Sequence, residues 1–209
     1  IRIHRLIRMQ AQPGALAIGP KDVELPLEQL VGYLGSFEYP FVSSDLKARE
    51  GFEWPVRSFI QHSVPKRGTV RIGALTLARP EAIADRIELL EPQAAWAAAM
   101  AGVQPATLRI VMVHARAERI RDLADTLSPQ PDLVIGVSDS VPEPPAAPDH
   151  SPKRGVPVVW SGTRGRSLTK TLLRRSTSDP EEIVITDYKV VQLAGSQTAK
   201  GAMEHRDAK

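Results

Sequence analysis

Apolar positions fall into short runs broken by Gly and Pro, and their spacing switches between helical and strand periods along the chain. Ile3, Leu6, Ile7 and Met9, with arginines between them, predict the tail of an amphipathic helix that Pro13-Gly14 ends. Ala15–Ile18 reads as a short buried strand stopped by Gly19-Pro20. Leu27, Leu30, Val31 and Leu34 share one helical face, so Pro26–Leu34 is expected to be a helix and Phe41–Ser43 a brief strand after it. A β-α-β order of this kind points to an α/β protein.

Further along, Phe59–Val64 and Val70–Leu77 are β-rich runs separated by Pro65-Lys66-Arg67-Gly68, which predicts a hairpin. Glu81–Leu90 and Glu91–Ala101 read as helices, the second starting at Pro92 and turning Trp96 and Met100 to the core. Leu108–Val113 is a strongly apolar strand ending at His114. Ala117–Leu127 is a helix with Ile120, Leu123, Ala124 and Leu127 inward, and Leu133–Val137 is the next strand. Beyond the loop Ser138–Arg154, Val156–Trp160 and Leu168–Leu173 are strands joined by a Gly-rich turn, and Ile183–Leu193 is the last. Ala194–Lys209 has little apolar content and reads as a mobile tail, so a single domain is expected over residues 1–193.

Composition narrows the classes. The chain has 209 residues and no cysteine, which excludes a disulfide framework, an iron–sulfur cluster and thiolate zinc. No apolar run is long enough to span a bilayer. Much of the high proline content is one loop, with five prolines in Pro142–Pro152. Net charge is +3, and seven Lys or Arg with no acid fall between Lys153 and Arg175. That strip is a candidate contact for phosphate or an acidic partner. Aromatic residues make up 5% of the chain and its three tryptophans are scattered, so a nucleic-acid interface is not expected.

Several stretches, taken in order, resemble the calcineurin-like metallophosphoesterase domain of the 5′-nucleotidase family. They are Ala15–Gly19 (ALAIG) with the helix after it, Phe41–Leu46 (FVSSDL), Arg71–Leu77 (RIGALTL), Pro131–Gly136 (PDLVIG) and Gly155–Leu168 (GVPVVWSGTRGRSL), the last being the most specific. The resemblance covers roughly residues 13–193. It implies an α/β fold, a metallophosphoesterase-like β-sandwich flanked by helices and lacking the first strands. It also implies a two-metal hydrolase in which His, Asp and Asn hold the ions that activate water, and a periplasmic or extracellular location.

Carried over position by position, the family's metal motifs are degenerate. Asp-x-His and Gly-Asp-x-x-Asp would lie upstream of Gly19, where too few residues precede it for two βα units. Gly-Asn-His-Glu aligns with Gly19-Pro20-Lys21-Asp22, so proline replaces a metal-binding amide and an ammonium donor replaces the catalytic imidazole. The family's lone His is kept as His114. Gly-His-x-His aligns with Gly136, Ser138 and Ser140, and Ser is a poor ligand for Zn or Mn. Asp139 and Asp22 are the remaining carboxylates.

The expectation is therefore a pseudoenzyme with no cofactor and no catalytic residue, serving as a structural or interaction subunit, with other protein subunits covering the missing sheet edge. One alternative is an active Mn-, Zn- or Mg-dependent phosphohydrolase whose other motifs lie outside this chain. Another is a phosphate- or nucleotide-binding module using Arg164, Arg166 and Lys170.

Overall fold

The computed structural model of the protein describes residues 14–64, 68–104, 107–162, 167–177 and 182–193. In chain order the strands are β1 (Leu16–Ala17), β2 (Phe41–Val42), β3 (Leu46–Ala48), β4 (Val56–Arg57), β5 (Phe59–Val64), β6 (Gly68–Leu75) and β7 (Ile87–Leu89). They continue with β8 (Leu108–His114), β9 (Leu133–Val137), β10 (Asp149–His150), β11 (Pro157–Trp160), β12 (Ser167–Arg175) and β13 (Ile183–Gln192). The helices are α1 (Leu27–Gly35), α2 (Pro92–Ala99) and α3 (Ala117–Thr126).

Strands β6, β8, β9 and β11 run parallel at the centre of a six-stranded sheet of order β10-β11-β9-β8-β6-β5, with antiparallel edges. Such strands are buried on both faces, which is why Leu108–Val113 reads as a continuous apolar run rather than an alternating one. Under α2 and α3 the core gathers Trp96, Val111, Ile120, Val134, Val158 and Trp160. Trp96 is fully buried and its indole N–H donates to Pro129 O at 2.6 Å, so burial leaves no unpaired donor. Glu91 caps α2 by accepting from Ala94 N–H at 2.8 Å, with Pro92 in the first turn.

The other face of this sheet carries two separate pieces. The parallel trio β1-β2-β4 packs there through Val42, against Ile60, Ala74 and Met112. The β12–β13 ribbon packs there through Leu173, Ile185 and Tyr188, against Ile110, Leu133 and Val159. The result is the layered α/β sandwich expected from the sequence. Among the described residues β1 pairs only with β2, and β12 and β13 only with each other, so backbone edges in this second layer are left unpaired.

Two expectations differ. Glu81–Leu90 is not a helix. A 3-10 turn at Glu81–Ile83 is followed by β7, which pairs antiparallel with β3. Ile83 and Ile87 are both buried against α1, a four-residue spacing that a helix would also produce. Three short strands, β3, β4 and β10, are too brief to display alternation and are not evident from the sequence. The expected N-terminal helix, the Pro65–Arg67 turn and the C-terminal tail lie outside the described residues.

The proline-rich loop is tied back to α3 at two points. Asp125, buried near the end of α3, accepts Arg154 N–H at 2.8 Å and Lys153 N–H at 3.2 Å. Arg121 grips Asp149 at 2.7 Å and leans on the Trp160 ring. Burial pushes the Asp125 carboxyl up, but bonds from Ser151, Arg154 and Lys153, with the charge of Lys153, outweigh it and hold the group below its ordinary value. A depressed folded pKa contributes stability that is present above the unfolded value and is lost as pH falls through the folded one. Asp125→Asn should therefore lower the melting temperature at neutral pH. The gap between variant and wild type should narrow below about pH 4, where an unfolded aspartate protonates. Thermal scans across pH check both.

Candidate functional site

The parallel strands end at one edge, and the loops leaving them bring the candidate residues together. At that edge Asp45, which follows β2, is fully buried and wires the two layers. Its carboxyl accepts from Ser43 Oγ at 2.8 Å, Thr76 N–H at 2.9 Å and Leu77 N–H at 2.8 Å. Thr76 Oγ1 donates in turn to Ile18 O at 3.0 Å, so β1, β2 and β6 are locked in relative position. Leu77 sits in the left-handed region at φ 58°, a conformation that costs a non-glycine residue and is held here by the bond to Asp45. Asp45 lies within the FVSSDL stretch, but nothing in its spacing marks it as the group that joins the layers.

Next to this network, the Gly19–Asp22 turn approaches the end of β8. A Cβ built on Gly19 would lie 3.4 Å from His114 Nδ1 and 3.4 Å from Asp22 Oδ2, so His114 and Asp22 do converge. The Asp22 carboxylate is already engaged, accepting Gly19 N–H at 2.7 Å as the closing bond of its own turn. Burial first, and the Asp22 charge second, push the Tyr33 hydroxyl above its ordinary pKa. Lys21 turns the other way. Its ammonium pairs with Glu24 at 2.9 Å and is largely in solvent. Pro20 lines a cleft of about 560 Å³ with Leu77, His114, Arg116 and Arg119. The His114 side chain has no hydrogen-bond partner among the described residues.

After β9, Ser138 and Ser140 hydrogen-bond each other at 2.9 Å. Ser138 is buried, and Ser140 Oγ also faces the first N–H of α3 at 3.4 Å, standing in for the cap that Arg116 does not supply. Asp139 between them is exposed in the turn. The next strand end, Ser161-Gly162, crosses close to the loop: Gly162 has φ 70°, and a Cβ there would meet Ser167 Oγ at 2.7 Å and Pro144 at 2.9 Å. Only glycine suits that position. Arg164 and Arg166 lie outside the described residues. Lys170 is exposed on the ribbon, directly opposite Lys189, and does not line the cleft.

The fold is that of the calcineurin-like metallophosphoesterases and 5′-nucleotidases. Among solved structures, the sulfate thiohydrolase SoxB of Thermus thermophilus, in complex with glycerol, is similar over 92% of this chain with a TM-score of 0.64 at 14% identity. A 5′-nucleotidase precursor from the same organism is similar over 97% with a TM-score of 0.64 at 15% identity. The calcineurin-like phosphoesterase YfkN of Bacillus subtilis is similar over 91% with a TM-score of 0.59 at 14% identity. The chain spans 34%, 44% and 71% of those three chains respectively. No protein-family model and no curated protein matches the sequence.

The two-metal centre that the sequence resemblance implies does not fit the described residues. Among the described residues no three His, Asp or Glu side chains converge. His114 offers one imidazole, Asp22 is spent on its turn, the two serines satisfy each other, and Lys21 points away. What this edge does hold is a dense set of internal bonds centred on Asp45. Asp45→Ala should strand one buried and one part-buried backbone donor, Thr76 N–H and Leu77 N–H, and cost roughly 2–4 kcal/mol, at about 1–3 kcal/mol per unsatisfied group. Urea denaturation followed by far-UV circular dichroism measures it.

Proposed function

We propose that this chain acts as a non-catalytic, phosphoesterase-like domain, a structural or interaction part of a larger assembly. The observation that carries the reading is the Ser138–Ser140 bond. The strand end that would present two imidazoles to a metal presents two hydroxyls that satisfy each other and cap α3. Lys21, aligned with the catalytic imidazole position, adds a cation that pairs outward with Glu24. Among the described residues His114 is the one imidazole lining the cleft, too little to hold two ions in the geometry that a two-metal displacement requires.

The same reading gives the open edges of the second layer a role. Unpaired strand edges are templates for association, and β1 and the ribbon present them above one face of the central sheet. Coverage of those edges by another polypeptide belongs to this proposal.

Purified chain should contain no stoichiometric Mn, Zn or Fe by inductively coupled plasma mass spectrometry. It should hydrolyse neither a nucleoside 5′-monophosphate nor p-nitrophenyl phosphate above the buffer rate when Mn²⁺ is added. Bound metal together with turnover that is lost in His114→Ala would instead establish an active phosphohydrolase.

A further inference from the structure

The outer face of the β12–β13 ribbon carries a pattern that sheet packing does not explain. The antiparallel register sets Leu168 opposite Val191, Lys170 opposite Lys189 and Leu172 opposite Asp187. Residues directly opposite on paired strands share a face, and all six of these are exposed. Leu168 is 59% exposed, Leu172 48% and Val191 40%. The alternate residues Leu173, Ile185 and Tyr188 already seat the ribbon on the central sheet, so its place in the fold does not call for apolar side chains outside. Strands with one solvated face ordinarily put polar groups there.

The charges point the same way. Like charges directly opposite on a sheet are destabilising, yet Lys170 and Lys189 face each other at the centre of the patch with no ion pair among the described residues. Among the described residues the one acid of the face, Asp187, is opposite Leu172 and two residues along β13 from Lys189, beside the pair rather than between its members, while Arg174 adds a third exposed cation on β12, so the face stays net positive. The run from Lys153 to Arg175 contains no acid at all. A repulsion that costs the isolated chain is relieved when carboxylates come to lie between the two ammonium groups. Resting on the interaction reading above, we propose that this ribbon face is a protein-docking surface for an acidic segment. That segment presents carboxylates to Lys170 and Lys189 and apolar side chains to Leu168, Leu172 and Val191. The apolar positions supply the desolvated centre of such a contact, and the lysines its register and partner choice.

The test selects ligands from a random-peptide phage library on the full chain. Recovered peptides should be enriched in Asp and Glu flanked by apolar residues. Fluorescence anisotropy of a synthetic copy should show affinity falling about tenfold or more with Lys170→Glu/Lys189→Glu, a loss worth about 1.4 kcal/mol. Leu168→Ser/Leu172→Ser should weaken it similarly, and raising salt from about 50 to about 300 mM should weaken it further as charges are screened. Replacing the peptide's acids by Lys should restore binding to the Glu variant. Lys170→Glu alone should leave the melting temperature equal or higher, because it removes the like-charge pair, which separates lost docking from lost folding. The proposal is overturned if no peptide is recovered, if recovered peptides lack acids, or if the double Glu variant binds them equally. Lysine-dependent binding to phosphatidylglycerol vesicles in place of peptides would also overturn it, by assigning the patch to lipid. Because the readout is binding, any of these failures leaves the metal and turnover result standing on its own.

Discussion

The two layers of this protein meet at their strand ends through one buried carboxyl. Asp45 takes hydrogen bonds from a side chain of its own loop and from two consecutive N–H groups past the end of β6. Ser44, its neighbour, donates to Ser58 O and accepts from Ala74 N–H, and its own N–H donates to Ala74 O at 2.6 Å. A polar group placed this deep is tolerable only when fully satisfied, because an unpaired one costs more than a good bond returns. Satisfaction is reached here only if β1, β2, β6 and the turn at Leu77 all adopt one relative position. The network thereby sets where Gly19 and the cleft beside His114 lie, although Asp45 itself touches neither.

The same self-satisfaction runs along the rest of the edge. The loops that leave the parallel strands close on themselves or on a neighbour: Asp22 on Gly19, Ser138 on Ser140, Asp45 on Thr76 and Leu77. In a metal centre those lone pairs would be directed at a common point and supported from behind by further bonds. Here the bonds run within and between the loops, so the groups stabilise the scaffold, and among the described residues only His114 and Asp22 approach a common point. The internal network holds the strand ends together without drawing on an imidazole.

Much of the scaffold was legible because its signals are strong and local. Leu108–Val113 and Leu133–Val137 are apolar runs of strand length bounded by turn residues, and Pro92 after Glu91 marks a helix start that the structure uses. Glu81–Leu90 was misleading because Ile83 and Ile87 are both buried, and a turn followed by a three-residue strand produces the same spacing as one helical face. Ser138, Ser140 and His114 could be placed at strand ends, but their partners could not. The Ser138–Ser140 bond follows from neighbouring residues, whereas the bond from Thr76 to Asp45 joins residues 31 apart in sequence. Long-range polar bonds leave no periodic trace, so nothing in the sequence distinguishes Asp45 from other acids of the chain.

The second layer is where pattern and packing part company. In a sheet covered on one side, alternation sorts side chains into an apolar inner set and a polar outer set. Along β12 the outer positions Leu168, Lys170, Leu172 and Arg174 alternate apolar and cationic side chains, while the inner set includes the polar Thr169 and Thr171 beside Leu173. The inner hydroxyl of Thr171 is buried with no partner among the described residues, a cost that a better-matched layer would avoid. A register slip by one residue would exchange the faces. Contact with Ile110, Leu133 and Val159 holds Leu173, Ile185 and Tyr188 to the central sheet, and a bulge between Leu172 and Leu173 marks where the pairing shifts. The ribbon is therefore held by its inner face while its sequence places apolar area on the outer one. A strand pair so arranged keeps its place through the inner contacts and exposes Leu168, Leu172 and Val191 on the other side.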